Sequence, residues 1–450
     1  MGRTLIRSGM VVTMDEALGV LGRGDVLIED GRIAAVAPSI AAGDAEVIDA
    51  ANRIVMPGFV NAHIHTWQTG LRGIAADWTI LEYLHHMHAA IAPGFSPDDI
   101  YISNLVGALN QLNAGVTTLV DWCHNNPSPA HTDRAIDGLI DSGIRAVFLH
   151  GSPKPDPKPG QPHFSEIPHP RGEIERLARD RLPCRDGLVT LGMAVLGPAY
   201  STYEVSRHDL ALARELGMVC SMHVGGGAMR TPDGFPRLVA EGLVGGHVNI
   251  VHGNSLADEQ LRPLVDNGAT VTVTPEVELQ MGFGDCLTGR LRAFGSAPSI
   301  GSDVESSLGS DMFTTMRMAL QAQRNLDNQA VIRRTGRAPE QISIPCREAL
   351  QWATVNGAAM VGLGDRIGSL APGKDADIVL LRADDLNLVP VVDPVASIVL
   401  HAGAGNVDTV LVGGRVLKRH GTLLRGYLAR RASELAETSQ RILARAGMLH

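Results

Sequence analysis

Lysine is nearly absent from this 450-residue chain: only Lys154, Lys158, Lys374 and Lys418 occur, so almost all of its 39 basic residues are arginines. With 48 acidic residues the formal net charge is −9, which argues against a nucleic-acid backbone binder, since that needs a basic face. The five cysteines, Cys123, Cys184, Cys220, Cys286 and Cys346, are odd in number and lack CxxC spacing. That argues against a disulfide framework or a thiolate zinc site and suits a reducing compartment, the cytoplasm. No run of 18 apolar, uncharged residues occurs, so a membrane span is not expected. The opening "MGRTLIRSGMVVTMD" reads as a strand and polar turns rather than a signal peptide. No GxGxxG follows an early strand, which removes the main support for a dinucleotide-binding sheet.

What the chain has is a change of pattern from β at both ends to alternating β and α between them. Residues 2–55 run through short apolar segments, and "GDVLIEDGRIAAVAP" reads as a hairpin turning at "EDGR". The same vocabulary returns in "ADIVLLRAD", "ASIVLHAG" and "VDTVLVGGRVLKRHG". One β-sandwich built from both termini, 1–56 and 366–425, accounts for this, with a large domain at 57–365 inserted and a helical extension at 426–450. Within the insert, eight apolar strands are expected at 58–65, 115–122, 143–151, 188–197, 217–224, 247–253, 268–275 and 298–303. Helices are expected between them, one of them at 256–267 opened by "SLAD", with Ser255 capping and Asp258 answering. Eight βα units imply a distorted (β/α)8 TIM barrel, an α/β fold whose functional side chains gather at the C-terminal ends of the strands.

Those strand ends carry a pattern. In "MPGFVNAHIHTWQ", His63 and His65 lie one residue apart and share a face of strand one, because side chains on a strand repeat with period two. His223 ends strand five, His252 strand six and Asp303 strand eight. Imidazoles plus a carboxylate at one barrel mouth suit a borderline divalent metal with a position left for water, whose pKa such a metal lowers.

The segments "PGFVNAHIH", "SMHV", "IVHGN" and "IGSD", together with "LQWATVNGAAMVGLGDRIGSLAPGKDADIVLL" at 350–381, resemble the amidohydrolase superfamily over about residues 50–430. The narrower likeness is to the branch of adenosylhomocysteine, 8-oxoguanine and cytosine deaminases and triazine chlorohydrolases. This resemblance implies His63, His65, His223 and Asp303 as metal ligands, with His252 orienting the water or polarising the carbonyl or leaving group. Asp303 would also accept the water's proton. It implies one divalent ion per subunit, Zn2+ or alternatively Fe2+, because strand four lacks the lysine that bridges two metals in binuclear relatives. A homodimer or homotetramer acting on a small molecule is the corresponding assembly.

One departure is central. Deaminases of this branch carry HxxE after strand five, the glutamate serving as general acid and base; this chain reads "HVGGG", with Gly226 in that place. Glu278, with Glu276 in reserve, is the expected substitute, because "TVTPEVELQMGFG" puts both carboxylates just past strand seven, beside Asp303. Trp67, Gln68, Arg72, Trp122, Arg230 and Glu305 are the expected substrate contacts, with Arg72 and Arg230 the cations placed to meet an anionic group. Asp121, Trp122 and His124 are expected on the pocket floor. His85, His86 and His88 have spacing compatible with a metal, but a loop-lining or interface role is the more ordinary reading. The Pro-rich 150–170 stretch reads as a lid, a subunit arm or mobile surface, and 431–449 as an amphipathic helix suited to packing on a neighbour.

The reaction expected is hydrolysis of a C–N bond in a small nitrogen-containing ring compound, with deamination first. If Asp303 is the sole acid and base, cyclic amide, lactam or urea-like hydrolysis follows; heteroaryl dechlorination and a non-catalytic assembly barrel are the remaining alternatives.

Overall fold

The computed structural model describes every residue except Met1, Ala42, Asp156, Pro157, Gly226, Leu449 and His450. Two sheets organise it. The strands of both termini share one nine-stranded mixed sheet, the small β-sandwich of the chain. Its junction is the antiparallel pairing of Arg53–Pro57 with Ile378–Arg382, in which Ile54 faces Leu381 and Val55 faces Leu380. Thr4–Val12 then pairs with Val20–Glu29 on one side and runs parallel to Arg53–Pro57 on the other. Residues more than 300 positions apart thereby bury one apolar cluster, including Ile6, Val26, Ile28, Val55, Ile378 and Leu411. Burial of such side chains contributes roughly 1.5–3 kcal/mol each.

The second sheet is a nearly closed barrel of eight parallel strands, taken in chain order: Phe59–Ile64, Val116–Cys123, Arg145–Gly151, Val189–Val195, Cys220–Val224, Val248–His252, Thr270–Val273 and Ser299–Ile300. The first three are buried throughout, as strands covered on both faces must be. Seven fall inside the ranges expected from the sequence, and the second runs one residue past its range of 115–122, to Cys123. Strands one and eight meet through a bridge between Ile64 and Asp303, with His65 N–H donating to the Asp303 carbonyl at 2.8 Å and Asp303 N–H donating to the His63 carbonyl at 3.0 Å. This approach needs Gly301: a Cβ there would stand 2.6 Å from the backbone of His63.

The chain gathers into two compact units, 1–62 with 110–119 and 311–426, and 63–109 with 120–310 and 427–450. The first carries the mixed sheet; the second carries every residue of the site described below.

One local expectation needs correction. The helix expected at 256–267 begins at Asp258, and its first N–H group to be capped, that of Ala257, is answered by Gln260 rather than by a Ser255–Asp258 box. Ser255 lies in the turn before it. The terminal helix, Leu428–Arg445, packs within its own unit, burying Leu435, Thr438 and Ile442, with Arg441 paired to Asp99.

Candidate metal centre

Strand one ends with His63 and His65 side by side and fully buried, their rings edge to face at 4.8 Å. Asp303, from the strand that closes the barrel beside them, brings one carboxylate oxygen to 3.2 Å from His63 Nε2 and 3.3 Å from His65 Nε2. His223, ending strand five, points its Nε2 at His63 Nε2 across 3.2 Å. The four donor atoms lie within 4.8 Å of one another, and they form the one such group of metal-ligating type found among the described residues.

These residues fit a divalent cation. A backbone carbonyl can only accept, so the 2.8 Å contact of His65 Nδ1 with the Trp122 carbonyl puts the ring proton on Nδ1 and leaves the Nε2 lone pair facing the cluster. Burial lowers the pKa of His63 and His223 and takes that of His65 down to about 3, so the rings are neutral bases at ordinary pH. Burial would raise the Asp303 pKa, but its interactions with His63, His252 and His65 outweigh it and hold the carboxyl well below the usual range. Neutral nitrogen lone pairs converging on a carboxylate repel one another unless a cation sits among them.

The backbone is bent to present these groups. Asp303 and His252 both adopt left-handed conformations, with φ of 62° and 67°, sparsely populated for non-glycine residues and held here by the barrel rim. His252 Nε2 faces the other carboxylate oxygen of Asp303 at 3.8 Å. Behind it, Nδ1 lies 3.0 Å from Thr274 Oγ1 and 3.3 Å from Glu278 Oε1. Glu278 is wholly buried; it also accepts the Thr274 N–H at 2.8 Å and the Asn254 side-chain amide at 3.3 Å.

The Amidohydrolase family model matches residues 54–235 and 285–417. This chain belongs to that family. It is 29% identical over 428 residues to the 5'-deoxyadenosine deaminase of Methanothermobacter thermautotrophicus, covering 92% of this chain and 94% of that one. It is 30% identical over 441 residues to the 5-methylthioadenosine/S-adenosylhomocysteine deaminase of Symbiobacterium thermophilum, covering 93% and 94%. Among solved structures, an adenosine deaminase from Xanthomonas campestris with bound zinc superposes with a TM-score of 0.80 at 23% identity, over 98% of both chains. A triazine hydrolase variant gives 0.86 at 22% identity, over 98% of this chain and all of that one. The structural likeness establishes the fold. Family and ligand set together make this amidohydrolase a metal-dependent hydrolase.

The remaining sequence expectations are distributed unevenly in this amidohydrolase. Glu278 sits not at a strand end but within a short helix, Pro275–Met281, which turns its carboxylate behind His252 rather than towards Asp303. Glu276, half-buried on the same helix, does not line the pocket. Gly226 lies outside the described residues, but its neighbour Gly225 has a packing reason: a Cβ would stand 2.7 Å from the Phe283 ring. Trp122 packs its ring 3.9 Å from that of His223, under the metal cluster. Trp67 is buried and donates its indole N–H to His124 Nδ1 at 3.3 Å, so it does not stack on a substrate. Gln68 is buried between Tyr83 and Ser306. Arg72 is held by buried Glu305 at 2.7 Å, and exposed Arg230 pairs with Glu166 at 3.6 Å. Neither arginine enters the pocket lining. Asp121 ties down the turn after strand one, accepting the Thr66 N–H and the Asn104 amide at 3.0 Å each, and burial raises its pKa to about 6.

Two further groups line the pocket; the sequence offered His88 only as one of three neighbouring histidines and did not place Lys154 there. His88, from the helical turn Leu84–Ile91, meets His124 with their Nε2 atoms 3.1 Å apart. Lys154, from the Pro-rich stretch after strand three, reaches the pocket with its ammonium 4.8 Å from the centre of the Tyr200 ring. The scarcity of lysine was the one signal that marked it.

Proposed function

We propose that this amidohydrolase is a zinc-dependent aminohydrolase, replacing the amino group of a small nitrogen heterocycle with oxygen and releasing ammonia; Fe2+ is the alternative metal. The observation that carries this reading is the Glu278–His252–Asp303 line of side chains, which supplies proton-handling groups in a chain without the HxxE glutamate. The deaminase names of two relatives matched along more than nine-tenths of this chain support it.

His63, His65, His223 and Asp303 would hold the ion, which when bound supplies Lewis acidity and an activated water at neutral pH. Asp303, kept anionic, accepts a proton from the attacking water. Glu278 holds the Nδ1 proton of His252, so Nε2 faces the pocket as a base, and as a donor once protonated. A substrate nitrogen or a water between Asp303 and His252 can pass a proton across their 3.8 Å gap to the leaving amine. Glu278 lies outside the pocket lining and acts through the His252 ring.

A second reading has its own observation. With glycine at 226 no carboxylate follows His223 at the family position, which favours a reaction needing no proton on the ring before attack: cyclic amide, lactam or urea-like hydrolysis, or displacement of a ring chloride. The test is a panel of aminopurines, aminopyrimidines, aminotriazines and cyclic amides offered to zinc-loaded protein, with ammonia and ring opening measured separately. Ammonia from the ring amines supports the proposal; ring opening or chloride release without ammonia refutes it. Among the described residues no helix is long and apolar enough to cross a membrane. A cytoplasmic homodimer or homotetramer without a nucleic-acid partner completes the reading, and sedimentation of the purified protein checks the assembly.

A further inference from the structure

The two arginines expected to meet an anionic substrate are both engaged elsewhere, while a lysine that nothing in the sequence placed there stands in the pocket. Lys154 lines the same cavity as His65, His223, His252 and Asp303. Among the described residues no carboxylate pairs with it: its recorded contact is the face of the Tyr200 ring. Tyr200 is fixed in turn, its hydroxyl donating to the carbonyl of Gly225, the residue that follows strand five. The ammonium therefore stands against a side chain that is itself anchored just past the end of strand five.

The charge is felt across the cavity. The residue as a whole is half-buried, yet its ammonium is desolvated enough that its pKa falls to about 8, and its field lowers those of His65, His88, His124 and His223. Holding an unpaired cation at such a site costs free energy that a surface lysine avoids. Asp303 is the only carboxylate of the described cavity lining and belongs to the metal set. With a divalent ion in place, the pocket walls carry more positive than negative charge.

We infer that Lys154 is a substrate-binding residue, and that the substrate is a small planar ring bearing an oxyanion, either a carboxylate or the ionised oxygen of an acidic heterocycle. The inference rests on the reading of this cavity as the substrate site. The oxyanion restores the missing pairing for the ammonium, the Tyr200 face limits where the lysine stem lies, and the ring is left over the metal set. An ammonium–oxyanion hydrogen bond in a desolvated pocket discriminates against a neutral analogue by about tenfold or more.

The test uses two matched probe pairs, nicotinate with nicotinamide and barbiturate with uracil, titrated calorimetrically into zinc-loaded wild type, Lys154→Met, Lys154→Gln and Lys154→Arg, each with its metal content measured. The expected result is at least about tenfold preference for the anion in one or both pairs. That preference is lost in Lys154→Met and Lys154→Gln at unchanged metal content and retained in Lys154→Arg. Preference in the nicotinate pair alone identifies a carboxylate, and in the barbiturate pair alone a ring oxygen. Equal affinity within both pairs, no measurable binding of either anion, or a preference that survives in Lys154→Met and Lys154→Gln overturns the inference. Should Lys154→Met fold poorly, the Gln and Arg variants decide. Ammonia release from neutral ring amines is scored separately, so an active, metal-loaded enzyme without anion preference refutes this inference and leaves the aminohydrolase reading standing.

Discussion

Two groups of histidines meet in this pocket, and only one of them is a metal site. His63, His65 and His223 surround Asp303; His88 and His124 face each other, and the rings of His65 and His124 are only 4.4 Å apart. Proximity and burial do not separate them, because both groups are close, buried and kept neutral. The hydrogen bond on the far nitrogen does. The Trp122 carbonyl takes the Nδ1 proton of His65 and leaves Nε2 free for a cation. The Trp67 indole donates into Nδ1 of His124, which obliges that ring to carry its proton on Nε2, where it donates to His88. An acceptor behind one ring makes a ligand, and a donor behind the other makes a link in a hydrogen-bond chain.

The largest effect that can break this contrast is loss of the ion. Asp303→Asn and His65→Asn should each lower zinc content well below that of wild type and reduce turnover by about a thousandfold, since removing a ligand or the base disables proton transfer. His124→Asn should keep its zinc. Metal analysis of the three proteins after identical loading decides, and a zinc-poor His124→Asn would put the second group into the metal site.

Next in size is the support behind His252. Glu278→Gln can still accept the N–H groups of Thr274 and His252 through its side-chain oxygen, but the negative charge that stabilises a protonated His252 is gone. Turnover should fall by about a hundredfold, the scale of a general acid or base, with KM and zinc content nearly unchanged. Near-normal turnover would leave Asp303 working alone and move the preferred reaction to amide-type hydrolysis.

The same comparison explains what could be read from the sequence. His63, His65, His223, His252 and Asp303 were legible because each ends a barrel strand, where period-two geometry and βα topology fix position before any tertiary contact is known. The junction of the terminal strands was legible for a similar reason, since alternation marks a strand wherever its partner lies. Glu278 was found but misdirected: Pro275 starts a helix immediately after strand seven, so counting residues as if the strand continued aimed the carboxylate at Asp303. Trp67 was assigned to substrate because a loop aromatic carries no mark of the imidazole it will bond. Lys154 was missed because it comes from an irregular Pro-rich stretch whose path depends on packing, including the Ser165 carbonyl that accepts the Thr202 N–H at 3.0 Å.

A smaller effect separates wild type from His124→Asn in acid. Burial lowers the pKa of His88, His124 and His169 well below the ordinary value and that of His150 to about 4. A histidine depressed in the folded state contributes stability that is fully present above its unfolded pKa and is lost as pH falls below about 6.5, because the unfolded chain then binds the extra proton. Asp121 and Asp209, each raised by burial to about 6, act in the opposite sense, stabilising the fold as pH falls from about 6 towards 4. Four histidines against two carboxyls leave a net loss, and stability measured by denaturant should fall from pH 6.5 to pH 5. His124→Asn removes one of the titrating rings, so its loss should be shallower by roughly 1 kcal/mol per pH unit. An identical slope would show that His124 is not held neutral by burial, and the contrast with His65 would lose one of its terms.

An effect of similar, small size tests the donor itself. Trp67→Phe keeps an aromatic ring against Phe95, whose centroid lies 5.2 Å from that of Trp67, but removes the only N–H the indole has. His124 Nδ1 then loses its hydrogen bond in a buried site, and stability should fall by roughly 1–3 kcal/mol for the unmet acceptor together with the lost packing of the larger ring. The loss should lie near the lower end while His124 keeps its Nε2 proton on His88; only a cation bound between the two rings offsets the shift of that proton to Nδ1, and that shift is the informative part. It would leave the Nε2 lone pairs of His124 and His88 facing each other across 3.1 Å, the arrangement that His63 and His223 show at 3.2 Å in the metal site. Trp67→Phe should therefore retain the zinc of wild type and, unlike wild type, take up additional zinc as free metal is raised, read by equilibrium dialysis. His88→Phe in the same background should abolish the extra uptake. If Trp67→Phe instead binds metal with wild-type stoichiometry at every concentration, the tautomer of His124 is not what keeps the second group empty of metal, and the lack of a neighbouring carboxylate must account for it.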